Sequence, residues 1–333
     1  MERRYDVAAV GAALVDTEIE VLDDELERLG LAKGHMTLVD EARHARLLAE
    51  LSDHLVASKR ASGGSAANTA LAVAAFGGRV HFCGKVADDE DGRFYLDDLA
   101  AAKVAVARPA TLSTGQTGRC LVLITPDAER TMATYLGISA TLGPEDLDLQ
   151  AVAAARYLYL EGYLVATPSG RAAAVAAARH ARQTGTAVAL SLSDPAIVEH
   201  CREGLAEVAE GGVDLLFCNR AEALLWTEQE ELADAVEALA DRVPRFAVTL
   251  GSEGALVHDG DELHRIPAEP ITAVDTNGAG DMFAGAVLYA VTHGMDWQRA
   301  GRFGCLAAAA VVGQYGPRLP LEQYRGLLEA FSS

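Results

Sequence analysis

The stretch Val274–Gly285, V-D-T-N-G-A-G-D-M-F-A-G, joins a glycine-rich turn to the start of a helix. A run with β-propensity, Ile271 to Val274, precedes it, and an apolar helix of small residues follows to about His293. The first N–H groups of a helix lack intrahelical acceptors, and the helix dipole adds partial positive charge there. Gly278 and Gly280 permit positive φ and close approach of a ligand. The stretch therefore predicts an anion site, typically for a phosphate.

Asp281 falls in the first turn of this predicted helix, beside the anion site. A carboxylate there stabilises a helix N-terminus. It is also placed to deprotonate a hydroxyl that attacks a phosphoryl group, and the specific spacing D-T-x-G-A-G-D favours this role. Two other phosphate motifs do not fit, because Val86 interrupts a Walker A loop after Gly84-Lys85 and Phe283 replaces the third glycine of a dinucleotide fingerprint.

Length and charge restrict the class of protein. The chain has 333 residues, half of them hydrophobic, which suits one large α/β domain with a small appendage. The net charge of −20 argues against nucleic acid and anionic membrane surfaces as partners. The N-terminal apolar run is cut by Asp16, and the stretch 303–313 is too short to span a bilayer. Five scattered cysteines indicate free thiols, so we expect a cytoplasmic protein.

The hydrophobic pattern predicts a parallel sheet. Tyr5 to Val15 is a continuous apolar run, typical of a buried central strand, and Asp16 would lie at its carboxyl end. From Ala155 onward, strands alternate with helices, the pattern of a doubly wound sheet. The later strands are predicted at Arg156 to Leu160, Thr186 to Leu192, Val213 to Cys218 and Phe246 to Leu250.

A second motif, S-G-G-S-A-A-N at Ser62 to Asn68, opens an alanine-rich helix that Ser65 can cap. The two motifs together resemble the N- and C-terminal signatures of the ribokinase-like (PfkB) family of sugar and nucleoside kinases. Asn277 and the segment that follows the first strand resemble the adenosine kinases of that family in particular. The resemblance covers nearly the whole chain. It implies one ribokinase-like domain, 1–333, with a doubly wound, mostly parallel sheet flanked by helices and a small β-rich lid formed mainly by 17–60 and part of 111–136.

The resemblance also implies ATP-dependent phosphorylation of an alcohol, with a role for each matching residue. Asp281 is the implied base, the backbone of Gly278 to Asp281, including Ala279 and Gly280, binds the transferring phosphoryl group, and Arg130 neutralises its charge. The implied substrate contacts are Asp16, Gly63, Gly64, Asn68, Met36, Thr37 and Tyr135. Structural alternatives exist for several of them: a buried cap for Asn68, a surface residue for Arg130, and lid core or edge for Met36 and Thr37.

The implied cofactors are ATP and Mg²⁺. Asn219 and Glu222 form an N-x-x-E motif directly after a predicted strand, where the family organises Mg²⁺ and phosphates through water; the alternative is a helix N-cap. Thr249, Gly251 and Gly254 form a T-x-G-x-x-G turn, and the resemblance implies that this turn lies on the ATP side. Asp275 would suit a monovalent cation such as K⁺. In relatives the turn after the helix 296–313 often helps to hold such a cation, and here that turn, 314–320, departs from the sugar-kinase pattern.

The acceptor implied by the lid and by Asn277 is the 5′-hydroxyl of a nucleoside, adenosine first. Ala12 departs from the adenosine kinase pattern, which often has asparagine there. The alternative within the family is a sugar such as ribose, fructose or 2-keto-3-deoxygluconate. A non-catalytic nucleoside-binding protein is a third interpretation, and the intact Asp281 and G-A-G-D turn argue against it. The sequence leaves a monomer and a homodimer open.

Overall fold

The structure is a computed structural model that describes residues 3–52, 60–106 and 113–332. Its strands are β1 Tyr5–Val10, β2 Leu14–Glu20, β3 Met36–Leu38, β4 Arg60–Gly63, β5 Val80–Cys83, β6 Ala105–Val106, β7 Gly118–Ile124, β8 Arg130–Tyr135, β9 Ala155–Glu161, β10 Ala187–Ser191, β11 Leu215–Asn219, β12 Phe246–Thr249, β13 Ala255–His258 and β14 Leu263–Ile266. Its α-helices are α1 Asp23–Leu29, α2 Glu41–Glu50, α3 Ser65–Ala75, α4 Glu90–Ala101, α5 Leu149–Ala153, α6 Pro168–Thr184, α7 Pro195–His200, α8 Arg202–Ala209, α9 Arg220–Thr227, α10 Leu232–Ala240, α11 Ala279–Thr292, α12 Trp297–Val312 and α13 Leu321–Ser332.

The large sheet has the strand order β14-β13-β12-β11-β10-β9-β1-β5-β6. Its seven neighbouring strands β6, β5, β1, β9, β10, β11 and β12 are all parallel. Strands β13 and β14 extend the sheet beyond β12 as an antiparallel hairpin. Helices cover both faces, as expected when crossover connections join parallel strands. The predicted class, a doubly wound and mostly parallel α/β sheet, is therefore confirmed.

Both faces of the sheet are buried, which explains the unbroken apolar run of the first strand. Val7 and Ala9 of β1 belong to the core beneath α3, α11 and α12. Ala8 and Val10 belong to the core on the opposite face, which is packed against α6 and its neighbours. Because successive side chains of a strand point to opposite faces, a strand between two helical layers must be apolar at every position.

A smaller mixed sheet has the order β3-β8-β7-β2-β4 and is called the small sheet below. One of its faces packs against α1 and α2 through leucines such as Leu26, Leu47 and Leu121. The other face presents Leu14, Cys120 and further apolar side chains toward the large sheet. The predicted lid limits, 17–60 and part of 111–136, stay a prediction, and residues 53–59 and 111–112 lie outside the described residues.

The predicted single strand from Tyr5 to Val15 is wrong. The chain leaves the large sheet at Gly11 and enters the small sheet at Leu14, so Asp16 lies within β2. Side chains satisfy the backbone of the connection: the Ala12 N–H donates to Glu161 Oε1 at 2.7 Å and the Ala13 N–H to Ser139 Oγ at 3.0 Å. The hydrophobic pattern does not reveal this exit, because the residues on both sides of it are buried.

Two further expectations can be compared with the structure. None of the described helices is long and apolar enough to cross a membrane. All five cysteines are free thiols, as predicted; four are buried and Cys201 is half-buried.

The exposed Gly326 in α13 allows a stability prediction. A Cβ built at this residue meets no atom within 4 Å, and its φ is not positive. Gly326→Ala should raise the free energy of unfolding by about 0.5–1 kcal/mol, because alanine loses less backbone entropy than glycine in a helix. Chemical denaturation of both proteins measures the change. A destabilised variant would contradict the helical geometry of α13.

Candidate active site

A cleft of about 240 Å³ lies between the carboxyl ends of the large-sheet strands and the apolar face of the small sheet. Ligands of open α/β sheets collect at this edge. The cleft brings together many of the residues singled out in the sequence. They are Asp16, Met36, Gly64, Asn68, Arg130, Asn219, Glu222, Thr249, Gly278, Ala279, Gly280 and Asp281.

The anion site predicted from the G-A-G-D stretch has the expected backbone geometry. Gly278 is the N-cap of α11 with a φ of 72°, a conformation that favours glycine. The N–H groups of Gly278, Gly280 and Asp281 donate to no acceptor within the described residues. A Cβ on Gly280 would meet nothing within 4 Å, so the space in front of this turn is open. Unpaired N–H groups at a helix start are a binding site for an anion.

Asp281 occupies the first turn of α11, and its carboxylate is held from α3. Ser65 Oγ donates to Asp281 Oδ1 at 2.6 Å, and Asn68 Nδ2 donates to Asp281 Oδ2 at 3.1 Å. Burial raises the pKa of Asp281, whereas these two hydrogen bonds and the charge of Arg130 lower it. The carboxylate is therefore a half-buried group that lines the cleft in the first turn of α11.

Asp16 is buried and lines the cleft, and its side-chain carboxylate accepts no hydrogen bond from the described residues. Burial raises its pKa to about 8, and the positive charge of Arg318 opposes this shift. The carboxylate lies directly over Gly63, where a Cβ would come within 2.0 Å of Asp16 Oδ2. Gly64 has a φ of 95°, and a Cβ there would meet the Ala12 carbonyl oxygen at 2.1 Å. Close packing therefore favours glycine at both residues, against the Asp16 side chain at Gly63 and against the Ala12 backbone at Gly64. Gly63 itself is not among the described residues that line the cleft.

Asn219 and Glu222 form the helix cap that was the alternative interpretation, and both also line the cleft. Asn219 Oδ1 accepts the Glu222 N–H at 2.9 Å, and Glu222 Oε2 accepts the Asn219 N–H at 3.0 Å. Burial raises the pKa of Glu222 to about 7, nearby Asp194 adds to the shift, and Arg130 opposes it. The cap therefore fixes a buried carboxylate at the edge of the cleft.

The charged side chains of the cleft are mostly acidic. The described lining contains the carboxylates of Asp16, Glu161, Glu222 and Asp281 and the single cation Arg130. An anionic nucleotide would need a further cation in such a site. The described residues contain no group of three or more His, Cys, Asp or Glu side chains that could hold a metal. Glu222 with Asn219 nevertheless fits Mg²⁺, which takes one or two protein oxygens and completes its shell with phosphates and water.

The hairpin between β7 and β8 contacts the loop that begins the anion site. Arg130 Nη1 donates to the Thr276 carbonyl oxygen at 3.2 Å, and Thr276 Oγ1 donates to the Ala128 carbonyl oxygen at 3.2 Å. Arg130 is thereby held between the small sheet and the anion site, where it lines the cleft.

Of the remaining residues predicted to bind the nucleotide or a cation, some line the cleft and others do not. Thr249 lines the cleft at the end of β12. Gly251 is exposed, and Gly254 lies against β14, where a Cβ would meet the Ile266 carbonyl oxygen at 2.0 Å. Asp275 is fully buried, and its two carboxylate oxygens accept the N–H groups of Asn277 and Gly316, each at 2.8 Å. Both oxygens therefore have backbone partners, and K⁺ binding at Asp275 stays a prediction.

The three predicted contacts in the small sheet do not share one face. Met36, paired with Met132, lines the cleft, whereas neither Thr37 nor Tyr135 is among the described residues that do. Thr134 faces the cleft, so the next side chain, Tyr135, points to the opposite face and lies 6.2 Å from the ring of His44.

Glu161 and Ser65 are site residues that the sequence interpretation missed. Glu161 is buried, and its two oxygens accept the N–H groups of Ala12 and Ala66, each at 2.7 Å. Glu161 comes directly after the apolar residues of β9. Asp16 was selected because an acidic residue follows an apolar run, and the same signal could have identified Glu161. Ser65 was interpreted as a helix cap, but Gly64 is the N-cap of α3 and makes no side-chain bond.

The chain matches known proteins in both sequence and structure. Residues 30–323 match the sequence model of the pfkB family carbohydrate kinases. The crystal structure of adenosine kinase from Sinorhizobium meliloti superposes with a TM-score of 0.93 at 38% identity, covering 98% of this chain and 99% of that one. This likeness extends over the large sheet and the small sheet together.

Two curated proteins illustrate the range of acceptors among the relatives. Adenosine kinase from Saccharomyces cerevisiae is 28% identical over 95% of this chain and 97% of its own length. ATP-dependent ribose-1-phosphate kinase from Halopiger xanaduensis is 31% identical over 86% of this chain and 93% of its own length. The relatives thus include kinases of both nucleosides and sugars.

Proposed function

The chain belongs to the pfkB family of carbohydrate kinases and is an ATP-dependent kinase of a nucleoside or sugar; within this range, we propose that it phosphorylates the 5′-hydroxyl of a nucleoside, adenosine first. The observation that carries the proposal is the match over nearly the whole chain to the Sinorhizobium meliloti enzyme, at 38% identity. The predicted adenosine-type lid and Asn277 support the same acceptor.

The cleft offers complementary surfaces for the two parts of a nucleoside. The carboxyl group of Asp16 has no hydrogen-bond donor from the described residues, and in its ionised form it is a strong acceptor for neighbouring ribose hydroxyls. Leu14 and Met132 of the small sheet, with Leu136 directly after β8, present an apolar surface next to Asp16 on the same side of the cleft. Such a surface suits the faces of a purine base. Asn68 would complete the ribose contacts between Asp16 and Asp281.

Asp281 would take the proton of the attacking hydroxyl. As the hydroxyl oxygen bonds to the γ-phosphorus of ATP, the bond between that phosphorus and the β–γ bridging oxygen breaks, and ADP leaves. The N–H groups of Gly278, Gly280 and Asp281 would stabilise negative charge on the transferring phosphoryl group. Arg130 would neutralise further charge from the side of the small sheet.

Mg²⁺ would be held on the nucleotide side by Glu222 and Asn219, largely through water, where it supplies charge neutralisation of the phosphates. Thr249 would contact the nucleotide from the end of β12. The small sheet would act as a lid that excludes water from the cleft, which limits hydrolysis of ATP. The hydrogen bonds between its hairpin and Thr276 support this role.

A free sugar is the second candidate acceptor. The 31% identity to the ribose-1-phosphate kinase supports an acceptor that is a sugar derivative rather than a nucleoside. Ala12, which lines the cleft where adenosine kinases often carry asparagine, supports it as well. The same Asp281 chemistry would then act on a sugar hydroxyl.

A panel of acceptors tests the proposal. The assay follows ADP formation from ATP and Mg²⁺ with adenosine, inosine, guanosine, cytidine, ribose, fructose and 2-keto-3-deoxygluconate. We expect adenosine to give the highest kcat/KM. Turnover with a free sugar alone would contradict the nucleoside assignment and keep the family chemistry. Binding of adenosine without ADP formation from any acceptor would support a non-catalytic binding protein instead.

A further inference from the structure

The carboxylate of Asp281 has two hydrogen-bond donors of unequal strength, both from the first turns of α3. We infer that Ser65 is a positioning residue that fixes the Asp281 carboxylate for proton transfer, and that Glu161 fixes the turn carrying Ser65. The inference rests on the proposed function, in which Asp281 is the base. Neither the sequence motifs nor helix capping gives a role to the side chains of Ser65 and Glu161.

Of the two hydrogen bonds to the Asp281 carboxylate, the one from Ser65 is the shorter. Its Oγ lies 2.6 Å from Asp281 Oδ1, whereas Asn68 Nδ2 lies 3.1 Å from Oδ2. A hydroxyl bonded to a carboxylate at this distance is a strong, charge-assisted hydrogen bond. Each carboxylate oxygen keeps a second lone pair, so Asp281 can hold both hydrogen bonds and still accept the proton of the acceptor hydroxyl.

Capping does not explain the Ser65 side chain. A capping serine accepts a hydrogen bond from a backbone N–H of its own helix. In α3 the N-cap is Gly64, and no side chain caps the helix. Ser65 instead donates across 216 positions of sequence to α11. The two helices approach closely at Gly285, where a Cβ would lie 2.6 Å from Ala72 Cβ, and this contact brings Ser65 and Asp281 together.

Glu161 connects the turn of Ser65 to the large sheet. Its Oε2 accepts the N–H of Ala66, the residue after Ser65, and its Oε1 accepts the N–H of Ala12. Both bonds are 2.7 Å long, and Glu161 is 1% exposed. Two N–H donors need two acceptor oxygens, which a carboxylate has and a glutamine amide lacks. An intact carboxylate at 161 is therefore required to hold the turn in this position.

The effect on proton transfer has a definite sign. Burial raises the pKa of Asp281, and the bond from Ser65 is the largest influence that lowers it. The titratable groups around Asp281 are Asp16 on β2, Arg130 on β8, Tyr159 and Glu161 on β9, and Tyr163. Without the Ser65 hydroxyl the pKa of Asp281 rises further. A base acts when ionised, so the acid limb of kcat/KM against pH must move to higher pH.

The test compares Ser65→Ala, Ser65→Thr and Glu161→Gln with the unmodified protein, using the best acceptor of the panel. We expect Ser65→Ala to lower kcat about ten- to hundredfold, because a misplaced base loses alignment with the hydroxyl. Its acid limb should move to higher pH, while the KM for ATP stays nearly unchanged. Ser65→Thr, which keeps the hydroxyl, should recover most of kcat. Glu161→Gln should lower kcat in the same direction as Ser65→Ala.

Two controls separate the possible failures. Glu207→Gln removes a carboxylate that pairs with Arg171 outside the cleft, so its kinetics should match those of the unmodified protein. Asp281→Asn tests the proposed function itself. An inactive Asp281→Asn together with an unchanged kcat and pH profile in Ser65→Ala would overturn the inference about Ser65 alone. Full turnover by Asp281→Asn would instead refute Asp281 as the base.

Discussion

Asp281→Asn is expected to reduce kcat by about a thousandfold, the range that general-base catalysis supplies, while acceptor binding changes little. The amide has nearly the shape of the carboxylate but cannot take the hydroxyl proton. The anion site is formed by backbone N–H groups and stays intact, so ATP should still bind. Steady-state ADP release gives kcat, and calorimetric titration of the variant with adenosine gives the dissociation constant.

A second aspartate at a helix start provides the matched control for Asp281→Asn. Asp296 is the N-cap of α12, where its side chain accepts the N–H of Arg299. Asparagine caps helices about as well as aspartate, so Asp296→Asn should leave both kcat and stability nearly unchanged. If Asp281→Asn retained the kcat of the unmodified protein, Asp281 would be a helix-stabilising residue only.

Gly63→Ala should raise the KM for the acceptor by about two orders of magnitude, equivalent to about 2.7 kcal/mol of transition-state binding. A Cβ at this residue would lie 2.0 Å from Asp16 Oδ2 and 2.1 Å from Asp16 Cγ, so the Asp16 carboxylate must rotate out of its position. The proposed bonds to the ribose hydroxyls are then lost. Since φ of Gly63 is not positive, the backbone of β4 can keep its conformation.

The same substitution at two other glycines separates this effect from general damage. Gly326→Ala meets no neighbouring atom and should leave the KM unchanged. Gly64→Ala, with a φ of 95° and a backbone oxygen at 2.1 Å, should lower the thermal unfolding temperature instead. A Gly63→Ala variant with an unchanged KM for the acceptor would show that Asp16 does not bind it.

The parts of the fold that depend on local pattern were predictable. The G-A-G-D turn and α11 follow from glycines before an apolar helix, and the strands after Ala155 follow from buried apolar runs. The exit of the chain at Gly11 was not predictable, because the Ala12 and Ala13 N–H groups there donate to Glu161 and Ser139, which are distant in sequence. Long-range side-chain bonds to the backbone leave no periodic signal.

The site was predictable where a motif fixes the backbone, and less so where a side chain depends on strand register. Tyr135 and Thr134 are neighbours on β8, and only the pairing with β7 decides which of them faces the cleft. The role of Ser65 depends on the approach of α3 to α11 at Gly285, which no local pattern specifies.

The central claim, transfer of a phosphoryl group from ATP to the 5′-hydroxyl of a nucleoside, is tested most directly by identifying the products. The measurement is phosphorus NMR of the purified protein with adenosine, ATP and Mg²⁺. The account predicts AMP and ADP in equal amounts. ADP with inorganic phosphate and no AMP, or no consumption of ATP at all, would contradict it.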